Sequence, residues 1–140
     1  MALSFGFFSD PALTTPISAR LQFIQDASAP VAEDKVVYFG SRLAGRVCKA
    51  GSNPGVDPVL LSVVDAASGA GSPAADVRLA LSSGALATAV GGAALNLPAV
   101  INGGQAGAVA VYIRVLDSTG APGIHLDLSL QTGVVKEFAV

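Results

Sequence analysis

Strict alternation of apolar and polar or small residues is the feature of this sequence that most limits its fold. Residues 77–82 alternate Val, Leu and Leu with Arg, Ala and Ser, and residues 109–115 carry Val, Val, Ile and Val at every second position. Successive side chains of a β-strand point to opposite faces of a sheet, so this period of two predicts strands with one buried face. No segment keeps the 3.6-residue period of an amphipathic helix, and the best helical alternative, residues 84–95, is weakened by a pair of glycines.

The same alternation runs through residues 123–133, GIHLDLSLQTG, which contain the single histidine of the chain. We predict a strand here, with one face buried and the other exposed to solvent. The buried face is expected to hold Ile124, Leu126, Leu128 and Leu130, and the exposed face His125, Asp127, Ser129 and Gln131.

Further strands are predicted between turn-forming clusters of Gly, Pro, Asn, Asp and Ser. They are Ile17–Gln25, Val36–Phe39, Ala44–Ala50, Val59–Asp65, Ala94–Ile101 and Val134–Val140. Many short strands at regular spacing indicate one all-β domain, an antiparallel β-sandwich, over residues 17–140. A jelly-roll-like arrangement is expected, with a looser immunoglobulin-like sandwich as the alternative, because a chain without Trp and with one Cys does not fit a true immunoglobulin domain.

Residues 1–16 show neither period cleanly and contain three phenylalanines, Phe5, Phe7 and Phe8. Two interpretations fit this composition: an extended arm that docks on a partner, or an edge strand of the same sandwich. The C-terminal segment with Phe138 presents the same ambiguity. We take these four phenylalanines as candidate partner contacts, and on the arm interpretation deletion of residues 1–10 is expected to abolish binding while the sandwich stays folded.

The charge content is low, since 13% of the residues are charged and 51% are apolar. Burying uncharged surface costs less than burying ions, so this composition favours a surface that is partly covered by partners. The net charge of −2 and the scattered basic residues give no footprint for nucleic acid. Neither a membrane-spanning run nor a signal peptide is recognisable, so we expect synthesis in a reducing cytoplasm, with Cys48 as a small buried residue.

The motifs of catalysis and ligand binding are missing from this sequence. His125, Asp127 and Ser129 share a strand face, but their side chains stand parallel about 7 Å apart instead of converging as a catalytic triad requires. One His and one Cys do not make a zinc site, and the aspartates lack the spacing of a calcium loop. The Gly-rich residues 68–75 precede a strand pattern and not the helix that a dinucleotide site needs. We therefore expect no enzyme activity, metal or cofactor.

Two stretches carry a resemblance to a known family. The runs VVYFGSRLAGRVCKAGSNPGVD (36–57) and LLSVVDAASGAGSPAADVRLALSSGAL (60–86) are similar in their strand-and-turn phrasing to the cement, or head decoration, proteins of short-tailed double-stranded DNA phages. The resemblance spans roughly residues 17–132, and these phrases are not a diagnostic signature.

The resemblance implies a jelly-roll-like subunit that forms homodimers on the outer surface of the virion and binds the major capsid protein. Such a protein holds capsid subunits together through many modest contacts and performs no reaction. A tail or baseplate component, or a fibre-borne sandwich that adheres to host glycans, is the alternative.

Overall fold

The computed structural model describes residues 3–18, 20–26, 28–67, 69, 71–119 and 127–140. Within these residues the chain forms ten β-strands and three short 3₁₀ helices, and no α-helix. The strands are β1 Gly6–Phe8, β2 Glu33–Gly40, β3 Arg46–Ala50, β4 Val59–Asp65, β5 Val77–Ala80, β6 Leu95–Leu97, β7 Val100–Asn102, β8 Val109–Val115, β9 Leu128–Thr132 and β10 Val135–Ala139. The 3₁₀ helices are Ala74–Asp76, Gly84–Ala87 and Gln105–Gly107.

The first layer of the fold is a four-stranded antiparallel sheet in the order β1-β2-β8-β5. Its centre is the long pairing of β2 with β8, in which Val37 lies opposite Val111 and Lys35 opposite Ile113. Directly paired residues share a face of a sheet, so the alternating apolar residues of the two strands line the same interior.

The second layer consists of two short antiparallel sheets, β10-β3-β7 and β6-β4-β9. Two continuous segments of the chain, β6 with β7 and β9 with β10, each contribute one strand to each sheet, and we call them the flanks. β3 and β4 are the central strands between the flanks, and residues 51–58 connect them at the join between the two sheets. Hydrogen bonds from Gly51 N to Val134 O, 2.7 Å, and from Gly133 N to Leu60 O, 2.9 Å, continue the ladder across it.

The inner faces of the two layers enclose one hydrophobic core. The most deeply buried of its members include Leu61 and Cys48 from the second layer and Val111 from the first, each at 0% exposure. The remaining core residues come from every sheet of the fold: Phe5, Val37, Phe39, Val59, Val77, Leu79, Leu97, Ile101 and Ile113. The predicted all-β antiparallel sandwich is therefore confirmed.

The strands predicted at Val59–Asp65 and at residues 109–115 have the observed bounds, and the core-facing side of β9 is as expected. Leu128 and Leu130 pack against the core, whereas Ser129 and Gln131 are exposed. The first part of that predicted strand, with Ile124, His125 and Leu126, lies outside the described residues.

Two predicted strands differ from the structure. The described residues of Ile17–Gln25 belong to no strand. Ile17 and Phe23 pack against the core, and Ile17 N donates a hydrogen bond of 2.9 Å to Phe7 O of β1, but this contact does not extend into a ladder. The predicted strand Ala94–Ile101 divides into β6 and β7 around Pro98, because proline has no N–H for a ladder hydrogen bond.

The N-terminal segment has the edge-strand arrangement and not that of a free arm. β1 pairs with β2, and the side chains of Phe5 and Phe8 are only 8% and 6% exposed. Phe7 packs against the core as well, 5.2 Å from the ring of Phe39 between centroids. These three rings are occupied within the fold, so the expectation that they are free to dock on a partner does not fit the structure.

The Phe5→Ala variant should lower the free energy of unfolding by about 3 kcal/mol or more, because a buried aromatic ring is removed and a cavity remains. Leu3→Ala is the matched control: Leu3 precedes the same strand but is 48% exposed, and its truncation should change stability by less than about 0.5 kcal/mol. Chemical denaturation of the three proteins measures both values. Equal stability of Phe5→Ala and the wild type would show that residues 1–10 are a dispensable arm.

Candidate interaction surface

The last strand, β10, is fixed to the fold by a buried polar network. Glu137 accepts hydrogen bonds at Oε1 from the backbone N and the Oγ of Ser4, both at 2.7 Å. Its other oxygen, Oε2, accepts a bond of 2.8 Å from Nε of Arg46. Ser41, at 0% exposure, lies 2.7 Å from the Ser4 hydroxyl. We call Ser4, Ser41, Arg46 and Glu137 the Glu137 network; it joins the N-terminal segment to the C-terminal strand.

The electrostatics of the Glu137 network favour the ionised carboxylate. Burial taken alone would raise the pKa of Glu137, but the hydrogen bonds from Ser4 and Arg46 outweigh it, so the pKa lies below its ordinary value. The side chain is only 7% exposed, and the guanidinium that neutralises it is 24% exposed. A buried charge with this many donors is a structural anchor, because each lost partner would leave it unsatisfied.

The outer edge of β10 is unpaired within the described residues, since β10 pairs with β3 alone. The carbonyl of Val134 and the N–H of Val140 both bond towards the β3 side, to Gly51 and Gly45. In an antiparallel ladder these directions alternate along the strand, so the backbone groups of Val135, Glu137 and Ala139 point away from β3. An open edge of this kind is a template for pairing with another chain.

An apolar surface lies beside this edge, on the outer face of the second layer. Phe138 is 38% exposed, Val100 and Leu60 are each 41% exposed, and Val134 is 81% exposed. Lys49 and Lys136 share this face, and Nζ of Lys49 lies 5.4 Å from the centroid of the Phe138 ring. We call Leu60, Val100, Val134, Phe138, Lys49 and Lys136 the outer patch.

The contact between Gly51 and Val134, at the join between the two short sheets, shapes this patch. A Cβ atom at Gly51 would lie 2.7 Å from Cγ1 of Val134. The absence of a side chain at Gly51 thus lets the Val134 side chain lie over the join between the two sheets. Clusters of exposed apolar residues next to polar ones mark interaction sites on soluble proteins.

Of the four predicted contact residues, Phe138 alone belongs to the outer patch. Phe5 and Phe7 pack in the core, and Phe8 is buried at 6% exposure on the other face of the first layer. The sequence analysis did not predict the other patch residues, although the sequence contains a signal for one of them, Leu60. Leu60 sits between the core residues Val59 and Leu61, so its alternation phase already assigns it to the outer face.

Two of the aspartates, Asp65 and Asp76, bind backbone N–H groups, whereas Asp127 has a buried Oδ2 atom without a hydrogen-bond partner among the described residues. Asp65 accepts a hydrogen bond from the backbone N of Ala67 at 2.9 Å, and Asp76 accepts one from Ser118 N at 3.2 Å. Bonds of this kind hold turns. Among the described residues no group of three or more His, Cys, Asp or Glu side chains is arranged to hold a metal ion. His125 lies outside them.

Cys48 is a buried core residue, as the sequence analysis expected. It is 0% exposed, and burial, followed by the nearby Glu137 carboxylate, raises the pKa of its thiol to about 11. A thiol of this kind is protonated at neutral pH and therefore unreactive, because the thiolate is the nucleophile.

The chain matches no protein-family model, no curated protein and no solved structure. In the described parts of the chain, no helix has the length and apolar character needed to cross a membrane.

The Glu137→Gln variant should lower the free energy of unfolding by about 1–3 kcal/mol at neutral pH, because charge-assisted hydrogen bonds in a buried network are lost. The folded-state pKa of Glu137 is depressed, so its stabilising effect is complete above about pH 4.3, the ordinary carboxyl value, and disappears as the pH falls through the folded pKa. The stability difference between wild type and variant should therefore shrink in acid. Denaturant titrations at several pH values measure it.

Asp34→Asn provides the control for that experiment. Asp34 forms a bidentate pair with Arg114 at 2.8 and 2.9 Å, but its side chain is 44% exposed. Exposed pairs contribute about 1 kcal/mol or less. A loss as large for Asp34→Asn as for Glu137→Gln would contradict the special role of the buried network.

Proposed function

We propose that this chain is a structural protein of a tailed double-stranded DNA phage virion. It binds the outer surface of the head and stabilises contacts between major capsid protein subunits, as a cement protein. The observation that carries the proposal is the outer patch, an exposed apolar face at the margin of an otherwise well-packed sandwich. The resemblance of residues 36–57 and 60–86 to cement proteins supports the same assignment.

The physical demands of the role agree with the character of this surface. A cement protein needs a rigid body that presents the same contacts at every position on the shell, and it needs no reaction. The polar part of the patch consists of two lysines, so most of its area can be desolvated without burying an ion. The Glu137 network holds β10 and Phe138 in place, which limits the conformational entropy lost on binding.

The open edge of β10 supports a homodimer as part of this proposal. A two-fold axis through Glu137 would place the outward backbone groups of Val135 opposite those of Ala139 in the second copy. The same axis would place the groups of Glu137 opposite their own counterparts. This register satisfies the hydrogen-bonding groups of both edges and is self-complementary, as an isologous contact must be. In this proposal the edge of β10 binds the second copy of the chain, and the outer patch binds the capsid.

The copy number of this chain in purified virions should approach that of the major capsid protein. A shell-covering protein occupies positions repeated over the whole head, whereas a tail, baseplate or fibre component is present in a handful of copies. Quantitative mass spectrometry with labelled reference peptides from both chains measures the ratio. A handful of copies would assign the chain to the tail, and its absence from virions would refute the proposal.

The Phe138→Ser variant should bind virion heads lacking this chain at least about tenfold more weakly than the wild type, because the aromatic centre of the patch is removed. Ile24→Ser is the matched control, since Ile24 is 76% exposed and lies outside the patch. Both variants should fold cooperatively; Ile24→Ser should unfold at the wild-type midpoint, and Phe138→Ser at a lower one, because the covered part of its ring is lost. Co-sedimentation of the purified proteins with heads measures binding, and equal affinities of the two variants would exclude the outer patch as the contact surface.

A further inference from the structure

The outer patch contains a charge arrangement that the chain itself leaves uncompensated. Lys49 on β3 and Lys136 on β10 are direct cross-strand partners on the same face of the sheet. Their Cα atoms are about 5.5 Å apart in a hydrogen-bonded pair of this kind, and like charges placed directly opposite destabilise a sheet. Within the described residues neither ammonium forms a salt bridge, and the contact of Lys49 with the Phe138 ring is its one electrostatic partner.

The first layer shows how the same arrangement is compensated elsewhere in the molecule. Arg78 and Arg114 are also direct cross-strand partners, but Asp34 lies opposite Arg114 on its other side and binds it with two hydrogen bonds. The equivalent place in the second layer, opposite Lys49 on its other side, is occupied by Val100. In the first layer two cations are therefore followed by an acid across the strands. In the second layer two cations are followed by an exposed valine.

We propose that the missing acid is supplied by the partner: the outer patch binds an acidic segment of the capsid surface whose carboxylate lies between Lys49 and Lys136. This inference rests on the proposed function and specifies the chemistry of the partner at that site. The exposed side chains of Val100 and Phe138 flank the lysines, so the segment also brings an apolar residue next to its Asp or Glu. A free small anion would leave these apolar side chains uncovered.

A phosphate backbone is the less favoured ligand for the same lysines. Nucleic-acid surfaces attract clustered cations, whereas this chain has a net charge of −2 and the patch offers two lysines beside four apolar side chains. A protein segment with one or two carboxylates fits both the charge and the apolar surroundings.

Zero-length cross-linking with a carbodiimide tests the proposal in assembled virions. This reagent joins an amine to a carboxylate that is in direct contact with it. We expect cross-linked peptides that join Lys136 or Lys49 to an Asp or Glu of the major capsid protein. Cross-links from these lysines to a second copy of the chain would assign the patch to the dimer contact, and an absence of cross-links at both lysines would overturn the proposal.

Binding of the full chain to heads lacking it gives an independent measurement. The Lys49→Gln/Lys136→Gln double variant should bind at least about tenfold more weakly and lose most of the salt dependence of binding. Its unfolding midpoint should equal or exceed that of the wild type, since the lysine repulsion is relieved. Arg20→Gln/Arg78→Gln, which removes the same charge elsewhere, should bind like the wild type.

The outcomes separate the two proposals. Wild-type affinity of the lysine double variant, with tight wild-type binding, would overturn the acidic partner and leave the cement role standing. Failure of the wild-type chain to bind heads at any salt concentration would overturn both. Lysine-dependent binding of a short DNA duplex, with no binding to heads, would replace the carboxylate by phosphate as the ligand.

Discussion

The pairing of β3 and β4 with the same two flanking segments is the constraint on which the rest of the structure depends. Both flanks pass from one short sheet to the other, at Pro98 and at Gly133, so the two sheets are held side by side in one layer. This arrangement places Cys48 of one short sheet and Leu61 of the other in one core with Val111 of the first layer. Loss of either flank would leave each short sheet with two strands, and a two-stranded ribbon is marginally stable.

The outer face of the second layer carries the exposed surface. A side chain that lies over the join, such as that of Val134, has no neighbour above it, and the strand edge of β10 follows at once. The Glu137 network then fixes this edge from beneath, through Arg46 and Ser4. The two faces of β10 thus have different roles. On the inner face Glu137 is held by the network, and on the outer face the side chains of Lys136 and Phe138 are exposed.

The sequence predicts the parts of this fold that depend on local alternation. β8 has the expected bounds because turn-forming clusters flank a clean period of two, and β4 has them because such clusters flank a short apolar run on both sides. The segment Ile17–Gln25 was wrongly predicted as a strand, because alternation reports which side chains are buried and not whether the backbone has a partner. Phe8 faces outward from the sheet, yet it is only 6% exposed and the guanidinium of Arg42 lies over its ring. A contact of this kind, from a residue distant in the chain, gives no periodic pattern in the sequence. The opposition of Lys49 and Lys136 depends on strand register, which the sequence of either strand alone does not specify.

The few charged side chains of this chain differ in whether they have a partner within the fold. In the described structure Arg46 and Arg114 each have an acid at 2.8 Å, and Lys35, Arg42 and Lys49 lie over aromatic rings. A chain with so few charges that places two of them side by side without an acid gives up stability in the isolated subunit. In the proposed complex a carboxylate of the partner relieves this repulsion, so the energy of the lysine pair favours assembly and does not contribute to folding.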